Sequence, residues 1–420
     1  MERLRRDVKG LTRLAMVPLI IAVAVISSVC TYFAVPPKER VVEVPVVERL
    51  RAAWVYIGPI GDYGWTYAHN LGREYADERL QWLETKYLEA IPYADAPRIL
   101  DELVAEGYEV IFTTSFGYMD PTIEAGNRHP DVIFMHCSGY KRSKNVGTYF
   151  LKMYEPYYLC GLAAGAVTKT GKIGYIPACT IPEVVRHINA FVIGAVEGAR
   201  KAYELGLKES PEVEVYVTPP LGFWVDPEKA KEAAVALIET RDCDTLAFTE
   251  DTPAVLEAAQ EYYERWEAEE WGYPVYSFSH YSDMSEWGPN ACLMGQIANW
   301  GPIYEDVLIR AYSGVWESKD YWWGFAEGAV SLGPISEVVP KEIRDYIELK
   351  KKEIAEGTFD PFTGPIRGWP AGEEPTPDRP ELLETKIEAG RRATHDDLWL
   401  MNWWAEGVVE APKPGLPPKE

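Results

Sequence analysis

The chain lacks a Cys-x-x-Cys pair, a His-Glu-x-x-His helix, a Gly-x-x-x-x-Gly-Lys phosphate loop and a Gly-x-Ser-x-Gly elbow. Those absences remove the usual sequence signatures of dithiol exchange, a zinc protease, nucleotide hydrolysis and serine-based acyl transfer. Six cysteines (Cys30, Cys137, Cys160, Cys179, Cys243, Cys292) sit mostly inside apolar runs, which reads as buried thiols in a chain of 420 residues. His69, His136, His187 and His280 are scattered without ligand spacing, so no metal and no cofactor is expected. Basic residues are also scarce: 42 Lys and Arg face 65 Asp and Glu, a net charge of −23. Such a balance argues against a nucleic-acid partner or an anionic membrane surface, and its even spread reads as a solvated acidic face.

One long uncharged apolar run does occur, at 14–35, behind Arg3, Arg5, Arg6, Lys9 and Arg13. At 1.5 Å per residue it spans about 33 Å, enough to cross a bilayer core. The expected layout is a cytoplasmic basic flank (1–13), a membrane anchor (14–35) and a spacer (36–50), with the remainder extracytoplasmic. A cleaved secretory signal is the rival reading. Cys30 invites a lipidated form, although Val29 stands where lipoprotein processing wants a small residue.

Beyond the spacer the richest stretch is Gly58-Pro59-Ile60-Gly61-Asp62-Tyr63-Gly64-Trp65-Thr66-Tyr67-Ala68-His69-Asn70. It follows an apolar run and leads into a helical pattern, so it reads as strand, tight turn and helix. In open α/β sheets such turns gather beyond the carboxyl ends of the strands, where ligands bind. Asp62 offers an anionic acceptor and Trp65 a flat face, a pair suited to a planar, polar-edged molecule. The same two residues also suit a helix cap and a core aromatic, and both readings stand at this level.

The rest of the body alternates β-like runs (52–57, 86–90, 110–114, 132–137, 172–176, 213–218, 245–248, 275–278, 292–297) with amphipathic segments, the pattern of parallel βαβ units. Nine strands are too many for one small sheet, so two lobes are expected. A last helix is expected over 380–405, with the aromatics of 398–404 docked on the body.

Further motifs follow in order: Thr113-Thr114-Ser115-Phe116-Gly117-Tyr118-Met119-Asp120, Lys169-Thr170-Gly171-Lys172-Ile173-Gly174-Tyr175, Ile181-Pro182-Glu183-Val184-Val185-Arg186, Phe223-Trp224-Val225-Asp226-Pro227, Asn299-Trp300-Gly301-Pro302 and Phe359-Asp360-Pro361-Phe362-Thr363-Gly364-Pro365-Ile366. From about residue 51 to about residue 408 the series resembles the basic-membrane-protein family, the substrate-binding receptors of ABC importers related to bacterial purine nucleoside receptors. The resemblance implies a type I periplasmic-binding fold, an α/β architecture of two lobes, each a parallel sheet flanked by helices, hinged by three crossing segments. Crossings are expected within 148–172, near 279–283 and around 314–324. The first lobe would then comprise 51–170 plus 280–318, the second 171–279 plus 319–366, and 367–420 a docked extension.

The resemblance also implies a purine base gripped between one aromatic ring from each lobe, here Trp65 and Trp224, and ABC permease subunits as membrane partners. Asp62, Ser115 and Asp251 are the candidates for reading the ring edge, while Phe116, Gly117, His280, Tyr281 and Asn299 are the other candidate ligand contacts. Asp62, Ser115 and Asp251 also suit capping roles. Nucleoside receptors of this family carry a ribose-binding carboxylate and a later lysine where this chain reads Ser279-His280-Tyr281-Ser282-Asp283 and Gln296-Ile297-Ala298-Asn299. Those departures bring a free nucleobase level with an intact nucleoside. Two other classes stay open: a membrane-anchored sensory receptor, and a nucleoside hydrolase using the adjacent acids Glu250 and Asp251.

Overall fold

The computed structural model describes residues 49–415. The expected flank, the anchor run and nearly all of the spacer lie outside the described residues. Within them no helix is long and apolar enough to cross a membrane.

A nearly continuous buried run forms β1 (Leu50–Val55), and alternation continues through α1 (Trp65–Arg79), β2 (Leu83–Leu88), α2 (Ala96–Ala105), β3 (Val110–Thr113), α3 (Met119–Arg128), β4 (Ile133–Cys137) and β5 (Val146–Leu151). Helix α2 carries Pro97 in its first turn, buries Ile99, Leu100 and Leu103, and is followed by Gly107 at φ +88°. These are ordinary start and stop signals. Next come α4 (Tyr154–Val167), β6 (Lys172–Ile176), α5 (Pro182–Glu204), β7 (Glu214–Val217), α6 (Pro227–Arg241), β8 (Thr245–Phe248), α7 (Ala254–Glu267), β9 (Ser277–Tyr281) and β10 (Cys292–Ala298). The described chain ends with α8 (Gly301–Tyr312), β11 (Asp320–Trp323), β12 (Val330–Leu332), α9 (Lys341–Ala355), β13 (Ile366–Gly368), β14 (Glu384–Ile387), α10 (His395–Trp399) and β15 (Val408–Glu410).

The strands make two main sheets. The first runs β11-β5-β4-β3-β1-β2, parallel throughout. A second runs β15-β7-β6-β8, also parallel, and continues into β9 through the Thr245–Tyr276 bridge. From β9 the ladder passes to β10 in parallel and ends with β12 antiparallel. Parallel sheets of this kind are covered on both faces, which is why their strands read as unbroken apolar runs. Helices α4 and α5 pack backbone against backbone in the second lobe. A methyl at Gly161 would lie 2.0 Å from Phe191 O and one at Gly194 2.0 Å from Tyr158 O, so the approach requires glycine.

The lobes meet at three crossings bound to one another. Lys152 N–H donates to Trp323 O (2.7 Å), Asn299 N–H to Ala329 O (2.9 Å) and Phe325 N–H to the Glu155 carboxyl (2.8 Å). The chain leaves the first sheet after Leu151 and α4 packs on α5 in the second lobe; it returns after Ala298, not near Ser279, and crosses again between Trp323 and Val330. Residues 280–298 therefore belong to the second sheet and 320–323 to the first, which corrects the boundaries expected from sequence. A strand's sheet is chosen by long-range pairing, and β9 and β10 carry nothing local that names it.

The expected helix over 380–405 is also corrected. That stretch folds as β14, paired antiparallel with β13, and the single-turn α10, with Gly390 at φ +74° between them. The aromatic tail is docked: Trp403 and Trp404 are buried, Asn189 donates to Trp403 O (2.7 Å) and accepts from Ala405 N–H (2.8 Å), and β15 extends the second sheet beside β7.

Candidate ligand-binding cleft

Two carboxylates, one from each lobe, serve the first turn of α1. The Asp62 carboxylate accepts N–H groups from Gly64 (3.0 Å), Thr66 (2.9 Å) and Tyr67 (3.0 Å), while Asp251 Oδ1 accepts that of Trp65 (3.0 Å). These are the donors that a helix leaves unsatisfied at its start. Gly64 permits the approach: a methyl there would lie 2.6 Å from Asp251 Oδ1. Asp62 is thus held by capping bonds within its own lobe. Burial raises its carboxyl above the ordinary range, and the three N–H bonds work against that rise.

The half-buried Trp65 ring is fixed by Nε1–H donating to Thr114 O (2.6 Å) and meets Tyr281 and Trp300 edge to face, each at 5.5 Å. Tyr281 comes from the second lobe, so the lobes touch at this ring. Ser115 pairs with the Tyr93 hydroxyl (2.8 Å), and its carbonyl lies 3.0 Å from His136 Nε2. Phe116 is 50% exposed at the rim, and a methyl at Gly117 would strike the Tyr93 ring at 2.5 Å.

On the second lobe, the Asp251 N–H donates to Trp224 O (2.9 Å). Asp251 therefore binds the backbones of both candidate stacking residues, Trp65 through its carboxylate and Trp224 through its amide. Burial, then repulsion from Asp62 and Glu250, pushes its carboxyl well above the ordinary range. Glu250 accepts from Asp226 N–H (3.0 Å) through Oε2, leaves Oε1 unpartnered, and is pushed up to about 8, chiefly by burial. The two adjacent acids engage different groups on different elements, an arrangement unlike a carboxylate pair aimed at one bond. His280 is fully buried, its Nδ1 2.8 Å from the Tyr157 hydroxyl and its Nε2 3.8 Å from Asp251 Oδ1. Asn299 lies apart, on the crossing, donating to Gly328 O (2.7 Å).

Three non-glycine residues at the cleft hold left-handed backbones: Tyr63 (φ 59°), Ser138 (φ 64°) and Tyr281 (φ 60°). Ser282 Oγ–H donates to Tyr63 O across the lobes, and the Tyr63 and Trp287 rings meet at 4.4 Å. Strain of this kind collects at binding sites. Glu183, in the first turn of α5, is a further cleft acid that the sequence reading quoted but did not single out. It interacts electrostatically with Asp251 and Tyr281 and is raised to about 7 by burial, against the pull of Arg186 and of Ser138 in the first lobe. Its signal was available: it follows strand β6 at a helix start, as Asp62 follows β1. Among the described residues no cluster of His, Cys, Asp and Glu could hold a metal ion.

The sequence profile of a family described as ABC transporter substrate-binding protein, PnrA-like, matches residues 50–359. A purine-binding protein of Brucella abortus is 34% identical over 363 residues, covering 86% of this chain and 93% of its own. A putative ABC transporter glucose-binding protein of Haloferax volcanii is 35% identical over 317 residues, covering 76% of this chain and 75% of its own. Among solved structures, an ABC transporter solute-binding protein from Conexibacter woesei superposes with a TM-score of 0.58 at 17% identity, over 74% of this chain and 98% of that one. At that identity the likeness speaks for the fold, two lobes of the type I periplasmic-binding kind.

Proposed function

Since the chain belongs to the PnrA-like family of ABC transporter substrate-binding proteins, a family of extracytoplasmic receptors and not of enzymes, we propose that it captures a purine nucleobase or nucleoside between its lobes and delivers it to an ABC permease. The observation that carries the reading is the double engagement of Asp251 with the Trp65 and Trp224 segments. One residue thereby couples two aromatic faces from opposite lobes, and stacking on such faces contributes about 1–3 kcal/mol per base. Asp251, His280 and Tyr281 then supply the polar edge, and Ser115, Phe116 and Gly117 line the first-lobe rim. The Brucella relative's purine-binding name supports the ligand class.

A sugar is the second reading, favoured by the Haloferax relative's name, because aromatic faces and carboxylates also suit hydroxyl-rich rings. Calorimetry on residues 41–420 with nucleobases, nucleosides and glucose separates the two, and incubation with adenosine should return adenosine unchanged. A chain that binds glucose and no purine overturns the first reading. Steady release of ribose overturns the receptor role itself.

The apolar run at 14–35 is proposed to anchor the receptor at the cell membrane. Full-length chain should then sediment with membranes while residues 41–420 remain in solution. Recovery of a mature chain that starts at a lipidated Cys30 would replace the anchor with a lipoprotein form.

A further inference from the structure

Behind the Asp251 contact, one buried donor has no acceptor. Gln296 Nε2 lies 3.4 Å from His280 Nδ1, and the Gln296 carbonyl oxygen is itself engaged by the Cys160 thiol (3.3 Å), so the amide nitrogen faces the ring. An amide nitrogen only donates, and the Tyr157 hydroxyl approaches the same ring atom at 2.8 Å. The Tyr157 hydroxyl also lies 3.4 Å from Phe248 O, so the Gln296 amide is what assigns Nδ1 as the acceptor and the proton to Nε2. Burial keeps the imidazole neutral by driving its pKa down to about 3, so His280 and Asp251 do not form an ion pair. The Nε2–H is fully buried and unpartnered, and it looks at Asp251 Oδ1 across 3.8 Å, too far for a hydrogen bond. Donor and acceptor thus stand side by side, each suited to a complementary group placed between the lobes. Asp251 Oδ1 takes Trp65 N–H of the first lobe, so the acceptor lies on the interlobe contact, with His280 Nε2 3.8 Å from it.

We propose that His280 and Asp251 form a two-point slot for an aminated heteroaromatic base: a ring nitrogen accepts the His280 Nε2–H, and the neighbouring exocyclic amine donates to the Asp251 carboxylate. This inference rests on the purine reading above and names which edge of the base is read. Trp65 beside the slot supplies the plane against which such an edge lies flat.

The test compares adenine with 6-methylpurine, which replaces the amine by a methyl group of similar size, on the parent and on Asp251→Asn. The asparagine keeps an oxygen able to accept Trp65 N–H, so the cap and the fold should survive. Parent protein should bind adenine at least tenfold more tightly than 6-methylpurine, and Asp251→Asn should erase most of that preference. In the parent, the ¹⁵N-resolved Nε2–H resonance of His280 should move downfield on adding adenine. Equal binding of the two bases by the parent, or equal losses for both in Asp251→Asn, overturns the slot while leaving the purine reading intact. If the parent binds neither base, nor adenosine, the purine reading itself falls, and the slot with it.

Discussion

The two walls of the cleft are built on opposite plans. On the first lobe the candidate ligand contacts already have partners: Asp62 takes three N–H groups, Ser115 pairs with Tyr93, and the Trp65 indole donates to Thr114 O, while Thr66 Oγ1 and His136 Nδ1 beside them have none. The second lobe keeps its chemistry open, with Glu250 Oε1 and His280 Nε2 unpartnered and three carboxyls pushed upward by burial. Satisfied groups are rigid and unsatisfied ones are costly. The first wall therefore supplies a fixed shape, and the second is the one a ligand or a proton must complete.

The sharpest way to break this contrast is Trp224→Ala. Loss of one stacking face should weaken purine binding about ten- to a hundredfold, equivalent to about 1–3 kcal/mol. Binding as tight as the parent's, in a folded variant, would make Trp224 a packing residue. Next in size is Asp62→Asn. With the carboxylate consumed by capping, the change should cost about 1 kcal/mol of stability, seen as a lower unfolding temperature, and should preserve the order of preference among bases. A reordered preference would return Asp62 to the ligand-reading role that the sequence allowed it.

Acidity sharpens the contrast further. Glu250 and Glu183 hold protons up to about 8 and about 7 in the folded chain, against about 4.3 in an unfolded one. Between those values the native state binds more protons than the unfolded state, so stability should fall as pH rises from about 5 to about 8. Glu250→Gln should flatten that slope in unfolding temperatures measured across the range. An unchanged slope would mean that Glu250 has found a partner in solution. The smallest effect expected is optical: tryptophan emission should respond more strongly to purines than to glucose, since a planar π-system couples to the indole rings of Trp65 and Trp224 and a saturated ring does not.

Much of this was legible in the chain. All nine expected strands exist, because buried parallel strands leave unbroken apolar runs, and the Gly58–Asn70 stretch forms the predicted turn into α1. What the sequence could not settle was partnership. Asp62 and Asp251 each look like a cap or a ligand contact in isolation; only the tertiary structure shows both serving one helix start from opposite lobes. Strand β5 and the short β11 to β15 were missed, and β15 spans only Val408–Glu410, too brief for periodicity to mark it. The helix expected over 380–405 failed because its aromatics follow the docking surface rather than a helical face.

The place of β15 has a consequence for biogenesis. It forms the outer edge of the second sheet beside β7, yet about 190 residues separate them, so at about 5–20 residues per second a ribosome needs roughly ten to forty seconds to deliver the partner. Throughout that interval the edge of β7 is open to other strands. Stalled or truncated chains should therefore aggregate through the second lobe, and an export route that keeps the chain extended until Glu410 has emerged would protect it.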